Sequence, residues 1–170
     1  MGRQPGALTL SEEDRRVLAP WAAACAERTL PLFESHAPRD PRPRDAIEGL
    51  RAFARGDMRI GPVRGLAAKA HAAAREVEDP AAVAAARAAG QAASVAHMAA
   101  HARGVVYAAI AAGLAAPDDP FAVADEVRWQ LSHASPVVRD VLRKLPPPTR
   151  TVGPLGRLIG DMHAKLAVRG

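Results

Sequence analysis

Two histidines one helical turn apart, His97 and His101, are the residues in this sequence whose type and spacing best suit chemistry. Imidazoles four residues apart on one helical face can hold a metal ion or exchange a proton. The zinc-protease pattern also requires a glutamate beside the first histidine, and Met98 occupies that position. A buried hydrogen-bond network among small residues is the interpretation that we prefer, so we predict no metal site.

Other polar side chains are candidates for a small cavity beside this histidine pair. Tyr107 follows the pair within two helical turns, and Glu48, Trp129 and Gln130 would come from neighbouring helices. If these side chains converge, they would line a ligand-binding cavity inside a helical bundle. No spacing rule requires them to converge, and the sequence leaves the cavity and a plain structural network as alternatives.

A proline-stiffened turn carries a second charged group, made up of Asp40, Arg42, Arg44 and Arg51. Guanidinium forks on a rigid turn can bind the phosphate or carboxylate of an anion or of an acidic partner. The alternative is a structural network in which these arginines pair with Glu27 or Glu34. The sequence favours the network without excluding the binding site.

The elements that position these residues are predicted to be helices, because no alternation typical of a strand stands out. An alanine-rich segment over residues 79–117 predicts a central helix, and Asp79 is suited to cap its N-terminus. We expect this segment to break near Gly104, which gives helices over 80–102 and 104–116. The histidine pair would then lie on a face of small residues turned toward the other helices.

The remaining helices follow from capping residues and prolines. A first helix is expected over 11–34, with a kink or break at Pro20 and at Pro31. Further helices are predicted over 43–55, 62–76, 120–133 and 136–144, and a short helix, GRLIGDMHAKLAV at 156–168, is predicted within the tail. The fold class is therefore all-α, a single-domain helical bundle of about six to eight helices around the central alanine-rich helix. We expect residues 1–8 to form a flexible arm, residues 9–145 the helical domain, and residues 146–170 a proline-rich break and a C-terminal tail.

Composition narrows the classes of function. The chain has 170 residues, a formal net charge of +5, 49% hydrophobic residues and only 4% aromatic residues. Its arginines alternate with acids and form no dense basic run, so nucleic-acid binding is the weakest of the functions considered. Polar residues interrupt the central apolar run, which argues against a membrane span. One cysteine, Cys25, and no signal peptide predict a cytoplasmic location.

Four sequence blocks remain: CAERTLPLFE at 25–34, PRDPRPRDAIEGLRAFARG at 38–56, AARAAGQAASVAHMAAHARGVVYAA at 85–109 and RWQL at 128–131. In this order they resemble the Imm-5-like domains of the bacterial "putative immunity protein" group, over about residues 10–145. The resemblance implies an all-α domain and a protein that neutralises a toxin. It implies no catalytic residues.

The leading prediction is therefore an immunity-like protein that binds and neutralises a toxin or related protein partner, without catalysis and without a cofactor. The alternative is a small enzyme, or a small-molecule-binding or self-resistance protein, with an internal polar pocket lined by His97, His101 and Tyr107. The sequence leaves open whether the protein is an enzyme.

Overall fold

Helices build this protein throughout residues 6–167, the part of the chain that the computed structural model describes. The α-helices are α1 (Glu12–Glu27), α2 (Leu30–Glu34), α3 (Arg42–Arg55), α4 (Ile60–Ala74), α5 (Pro80–Ser94), α6 (Val106–Ala115), α7 (Ala122–Ser132), α8 (Pro136–Arg143) and α9 (Gly153–Ala167). A 3-10 helix, Ala99–Val105, joins α5 to α6. No strand occurs in residues 6–167, which confirms the predicted all-α class.

The predicted central helix is α5, which contacts α1, α2, α3, α4, α6 and the 3-10 helix. The Asp79 side chain caps it as expected, accepting a hydrogen bond of 2.8 Å from the backbone N–H of Ala82. Eleven residues of α5 are buried, and nearly all of them are alanines. An alanine methyl group buries little area at about 25 cal/mol per Å², so the bundle depends on helices that approach closely.

The first predicted helix is two helices, which raises the number of α-helices in the described residues to nine. The prediction of a break at Pro20 is wrong, because α1 continues through this proline, which is exposed. The carbonyl that the prolyl ring leaves without a donor therefore faces the solvent side of the helix. The break lies at Arg28 and Thr29, and Pro31 occupies the first turn of α2, where its missing N–H costs little.

The α-helix predicted over 80–102 ends at Ser94, so the prediction of a single break near Gly104 is also wrong. The Ser94 hydroxyl donates to the Gly90 carbonyl at 2.8 Å, a local bond that weakens helix propagation. Beyond it, the Arg15 guanidinium binds the Ala96 carbonyl at 3.0 Å. This tertiary bond satisfies a carbonyl that the helix would otherwise have used, and the chain restarts as a 3-10 helix.

The ends of the chain pack on the bundle within the described residues. The carbonyls of Leu8 and Thr9 accept hydrogen bonds of 2.9 and 3.2 Å from the start of the 3-10 helix. Helix α9 contacts α6, α7 and α8, and its Met162 and Leu166 belong to the main hydrophobic core. Residues 1–5 of the predicted arm and 168–170 of the predicted tail lie outside the described residues.

The other helix limits lie within about three residues of the predicted ones. The second predicted helix ends where expected, at Gly56, whose φ of 87° suits glycine at a helix C-terminus. Ser135 caps α8 by accepting from the N–H of Val138 at 3.3 Å. Among the helices of residues 6–167, none combines the length and apolarity needed to cross a membrane.

Close approach of α4 to α5 predicts the effect of adding one methyl group. A Cβ at Gly90 would lie 2.6 Å from Cε1 of His71, whereas a Cβ at Gly65 would meet nothing within 4 Å. We expect Gly90→Ala to lower the free energy of unfolding by about 1–2 kcal/mol, because overpacking outweighs the gain in helix propensity. Gly65→Ala, the matched control, should raise it by about 0.5–1 kcal/mol. Urea unfolding measures both, and equal stability of the two variants would contradict the close contact.

Candidate functional site

The structure brings the rings of His97 and His101 together, with their centroids 5.1 Å apart, but not on one α-helical face. His97 lies in the break after α5, and His101 lies in the 3-10 helix. Nδ1 of His101 is 2.9 Å from Oε1 of Gln91. Nδ1 of His97 is buried and has no hydrogen-bond partner in the part of the chain that the structure describes. The two imidazoles therefore form a half-buried cluster rather than a helical chelate.

A third imidazole, that of His71 on α4, lies against Gly90 of α5 and is near enough to His101 to influence its pKa. Burial lowers the pKa of His101 to about 4, and the neighbouring His97 and His71 add to the effect. Burial and nearby arginines also lower the pKa of His97 and of His71. All three rings are thus held in the neutral form at pH 7. No group of three or more His, Cys, Asp or Glu side chains within residues 6–167 is arranged to hold a metal ion.

Tyr107 lines a cavity of about 270 Å³ between the 3-10 helix, the loop before α9 and α9 itself. Gln91 and Arg103 line the same cavity, but His97 and His101 do not. Gln91 therefore separates the histidines from the cavity, because its side chain binds His101 and also forms part of the wall. Its position depends on Gly104, where a Cβ would lie 2.5 Å from the Cβ of Gln91.

Gln130 is fully buried but lies in the core between helices rather than in this cavity. Its side-chain amide donates to the Val105 carbonyl at 3.1 Å, and its backbone carbonyl accepts from Nε1 of Trp21 at 2.8 Å. These bonds satisfy carbonyl and indole groups where α1, α7 and the 3-10 helix meet. Gln130 thus has a structural position in the described fold.

Trp129 forms a separate stack at the surface. Its ring lies 3.9 Å from that of His133, and the Arg28 guanidinium lies over it at 4.0 Å. Arg28 also donates from Nε to both carboxylate oxygens of Glu126, at 2.9 and 3.0 Å. Glu126 is buried, so this charged pair holds α7 against the end of α1.

The arginine forks predicted on the proline turn are occupied by carboxylates of the same chain. Arg42 binds Asp40 at 2.6 Å and Glu76 at 2.5 Å, which ties the turn to the end of α4. Arg44 binds Glu34 through two bonds of 2.7 and 2.8 Å. The Arg42 guanidinium lowers the pKa of Asp40 through its hydrogen bonds.

Arg51 completes this network, and Glu48 belongs to it rather than to the cavity. Arg51 reaches Glu27 through bonds of 3.0 and 2.6 Å and Glu48 at 2.7 Å. Its hydrogen bonds hold the pKa of Glu27 below the usual range. An external anion would have to displace these carboxylates to bind the arginines.

An apolar groove of about 510 Å³ between α6, α7 and α9 has no counterpart among the sequence-predicted sites. Its walls include Ile110, Leu114 and Leu158, and Leu114 is 48% exposed. Asp119 and Asp161 lie at the same groove. The sequence offers one signal, a leucine near the end of an otherwise alanine-rich helix, and that signal does not locate the facing helix.

Gln91 and Arg103 are two of the cavity residues that were not predicted as site candidates; Thr149 and Arg150 are two more. Gln91 and Arg103 are both polar side chains in the alanine-rich segment. Gly104 was the available signal, since a glycine inside such a segment indicates a close approach of another group. What approaches it is the side chain of Gln91, thirteen residues earlier, and only the turn after α5 brings the two together.

Comparison with known proteins identifies a family. A family model described as "Imm-5 like putative immunity protein" matches residues 8–136, which is more than half of the chain. No curated protein and no solved structure matches.

The neutral imidazole cluster predicts a loss of stability in acid. Because the pKa of His101 is about 4 in the folded chain and near 6.5 when unfolded, protons bind the unfolded chain more tightly between these values. The contribution of the neutral His101 ring to the free energy of unfolding is therefore complete above about pH 6.5, and it is lost as the pH falls toward 4. His101→Asn keeps a donor for Gln91 but does not titrate, so its melting temperature should fall less across this window. The control is His133→Asn, at an exposed histidine, and its melting temperature should change with pH as that of the unaltered protein does. The prediction would be contradicted if the melting temperature of His101→Asn changed with pH as steeply as that of the control.

The arginine network predicts that Arg42 stabilises the fold. Arg42→Ala should lower the melting temperature by about 3 °C, because it releases both Asp40 and Glu76. The control Arg55→Ala removes a pair with Asp57 in which both side chains are at least 60% exposed, and it should shift the melting temperature by about 1 °C or less. Thermal unfolding followed by circular dichroism compares them. A melting temperature unchanged by Arg42→Ala would leave the forks available for a binding role.

Proposed function

The chain belongs to the Imm-5-like family described as putative immunity proteins, and on that premise we propose that it neutralises a polypeptide toxin by binding to it. The proposed action needs no cofactor and no catalytic step, because a tight complex is enough to block a toxin's working surface. The family name supports a protein partner, and the groove between α6, α7 and α9 is a surface to which that partner could bind.

The groove between α6, α7 and α9 is the observation that carries this proposal. Exposed apolar side chains that line a concave surface are typical of protein-binding sites. Leu114 is 48% exposed at the groove, and Phe121, two residues before the groove residue Val123, is 64% exposed. Ile110, Leu114 and Val123 all lie within the residues that the family model matches. Burying them against a partner would supply the apolar centre of an interface.

Charge at the groove indicates the kind of segment that would fit. Two carboxylates, those of Asp119 and Asp161, lie beside the apolar walls with one guanidinium, that of Arg157, so the charged side chains of the lining sum to −1. These acids belong to a chain whose net charge is +5. A toxin segment with apolar side chains followed by a lysine or arginine would match this surface in both shape and charge.

A cytoplasmic site of action is part of the proposal. The thiol of Cys25 is buried in the core, and burial raises its pKa, so it remains a protonated, unreactive thiol. A core with a free cysteine is suited to a reducing compartment. The toxin would be met after it enters the cell or before it is exported.

The test pairs the chain with candidate toxin polypeptides encoded by genes beside its own, each produced in cells with and without the chain. Growth of the producing cells measures neutralisation, and calorimetry with the purified proteins measures the dissociation constant. We expect the chain to restore growth and Leu114→Glu to weaken binding at least about 100-fold, because a carboxylate would enter an apolar interface already lined by two acids.

Val137→Glu is the matched control, since Val137 is 60% exposed on α8 and does not line the groove. It should restore growth as the unaltered chain does. Equal protection by the Leu114 and Val137 variants would refute the groove as the binding surface. A toxin that neither binds the chain nor loses activity in its presence would refute the proposed function.

A further inference from the structure

The cavity beside Tyr107 has a wall that the family match does not include. One side is formed by the 3-10 helix and α6, and the other by the loop 148–150 with Leu155 and Ile159 of α9. The match ends at residue 136, so the second wall belongs to the remainder of this chain. The cavity shares no lining residue with the proposed toxin-binding groove, although α9 contributes to both.

Two arginines at this cavity lack carboxylate partners. Arg103 and Arg150 line it, and neither forms an ion pair with any residue in 6–167. The guanidinium of Arg103 donates to the carbonyl of Pro146, a neutral acceptor. Burial lowers the pKa of Arg103, and no neighbouring carboxylate offsets the effect. This differs from the proline turn, where Arg42, Arg44 and Arg51 each bind carboxylates.

Neutral donors and an apolar surface complete the cavity. Tyr107 and Thr149, whose side chains carry hydroxyl groups, both line the cavity. When the ring of His101 donates to Oε1 of Gln91, the amide N–H₂ of Gln91 remains as a donor at the cavity wall. Leu155 and Ile159 supply apolar contacts on the α9 side.

We propose that this cavity binds a small organic anion, with the guanidinium groups of Arg103 and Arg150 on its phosphate or carboxylate group. Tyr107 and Gln91 donate hydrogen bonds to the same group, and Leu155 with Ile159 covers its apolar part. Arginine forks match the planar or tetrahedral oxygens of such anions through paired hydrogen bonds. A volume of about 270 Å³ suits a single ring bearing one charged group.

Phenyl phosphate is the probe, and phenol is its neutral counterpart. Calorimetry on the full chain should give a dissociation constant in the micromolar to millimolar range for phenyl phosphate, which weakens as salt is raised. Phenol should bind at least about tenfold more weakly, because it lacks the group that the arginines recognise. Amide NMR shifts on adding phenyl phosphate should concentrate at Gln91, Gly104, Tyr107 and Arg150.

Arg103→Gln and Arg150→Gln should each weaken phenyl phosphate binding at least about tenfold. Arg150 is exposed, so its variant decides the question even if the loss of the Arg103 bond to Pro146 unfolds the chain. Arg128→Gln is the control: its side chain is 74% exposed and pairs with Asp125 on α7, and binding should be unchanged.

Three results would overturn the inference. They are the absence of phenyl phosphate binding at ~10 mM, binding that Arg150→Gln leaves equal to the Arg128→Gln control, and phenol binding as tight as that of phenyl phosphate. Each result is independent of toxin neutralisation, which the growth assay measures separately.

Discussion

The guanidinium of Arg15 is the interaction on which the arrangement of this protein depends. It is buried, and it donates to the carbonyl of Ala96 at 3.0 Å and to that of Leu10 at 2.8 Å. Both carbonyls belong to non-helical segments, so one side chain satisfies the backbone of two irregular segments that the core would otherwise leave unpaired. The alanine-rich segment can leave α-helical geometry after Ser94 because this partner is present. The positions of the histidines and of Gly104 follow from that change of geometry.

Local signals predicted most of the fold because they act within one turn of the chain. Ser11 and Asp79 cap helices through their own neighbours, and Gly56 ends α3 because its backbone adopts a positive φ. The break after Ser94 could not be predicted, because its stabilising partner lies about eighty residues away in α1. The lining of the cavity could not be predicted for the same reason: residue types pointed to His97, His101 and Tyr107, but the turn after α5 decides which of them line it.

Charge is distributed unevenly over the bundle. Around the proline turn, guanidinium groups form ion pairs with carboxylates from α1, from α2 and from the end of α4. Their positive charges are therefore balanced within the fold. Near α9, Arg103 meets a carbonyl instead, and burial of its charge is not compensated by an acid. Arginines are frequent in this chain, so composition could not distinguish the two roles. Only the partner of each guanidinium separates structural charge from charge available to a ligand.

The loop and helix that close the cavity lie after the last residue of the family match, and this has a consequence for divergence within the family. Helices α1 to α7 contain their own caps and the buried pair of Arg28 with Glu126, although Met162 and Leu166 of α9 also pack in the main core. Substitutions, insertions or exchange of the segment after α8 can therefore remodel the enclosure while the shared scaffold keeps its sequence constraints. In a relative with a different C-terminal segment, the residue equivalent to Tyr107 would be exposed or would face different side chains. Ligand preference could then diversify faster than the fold.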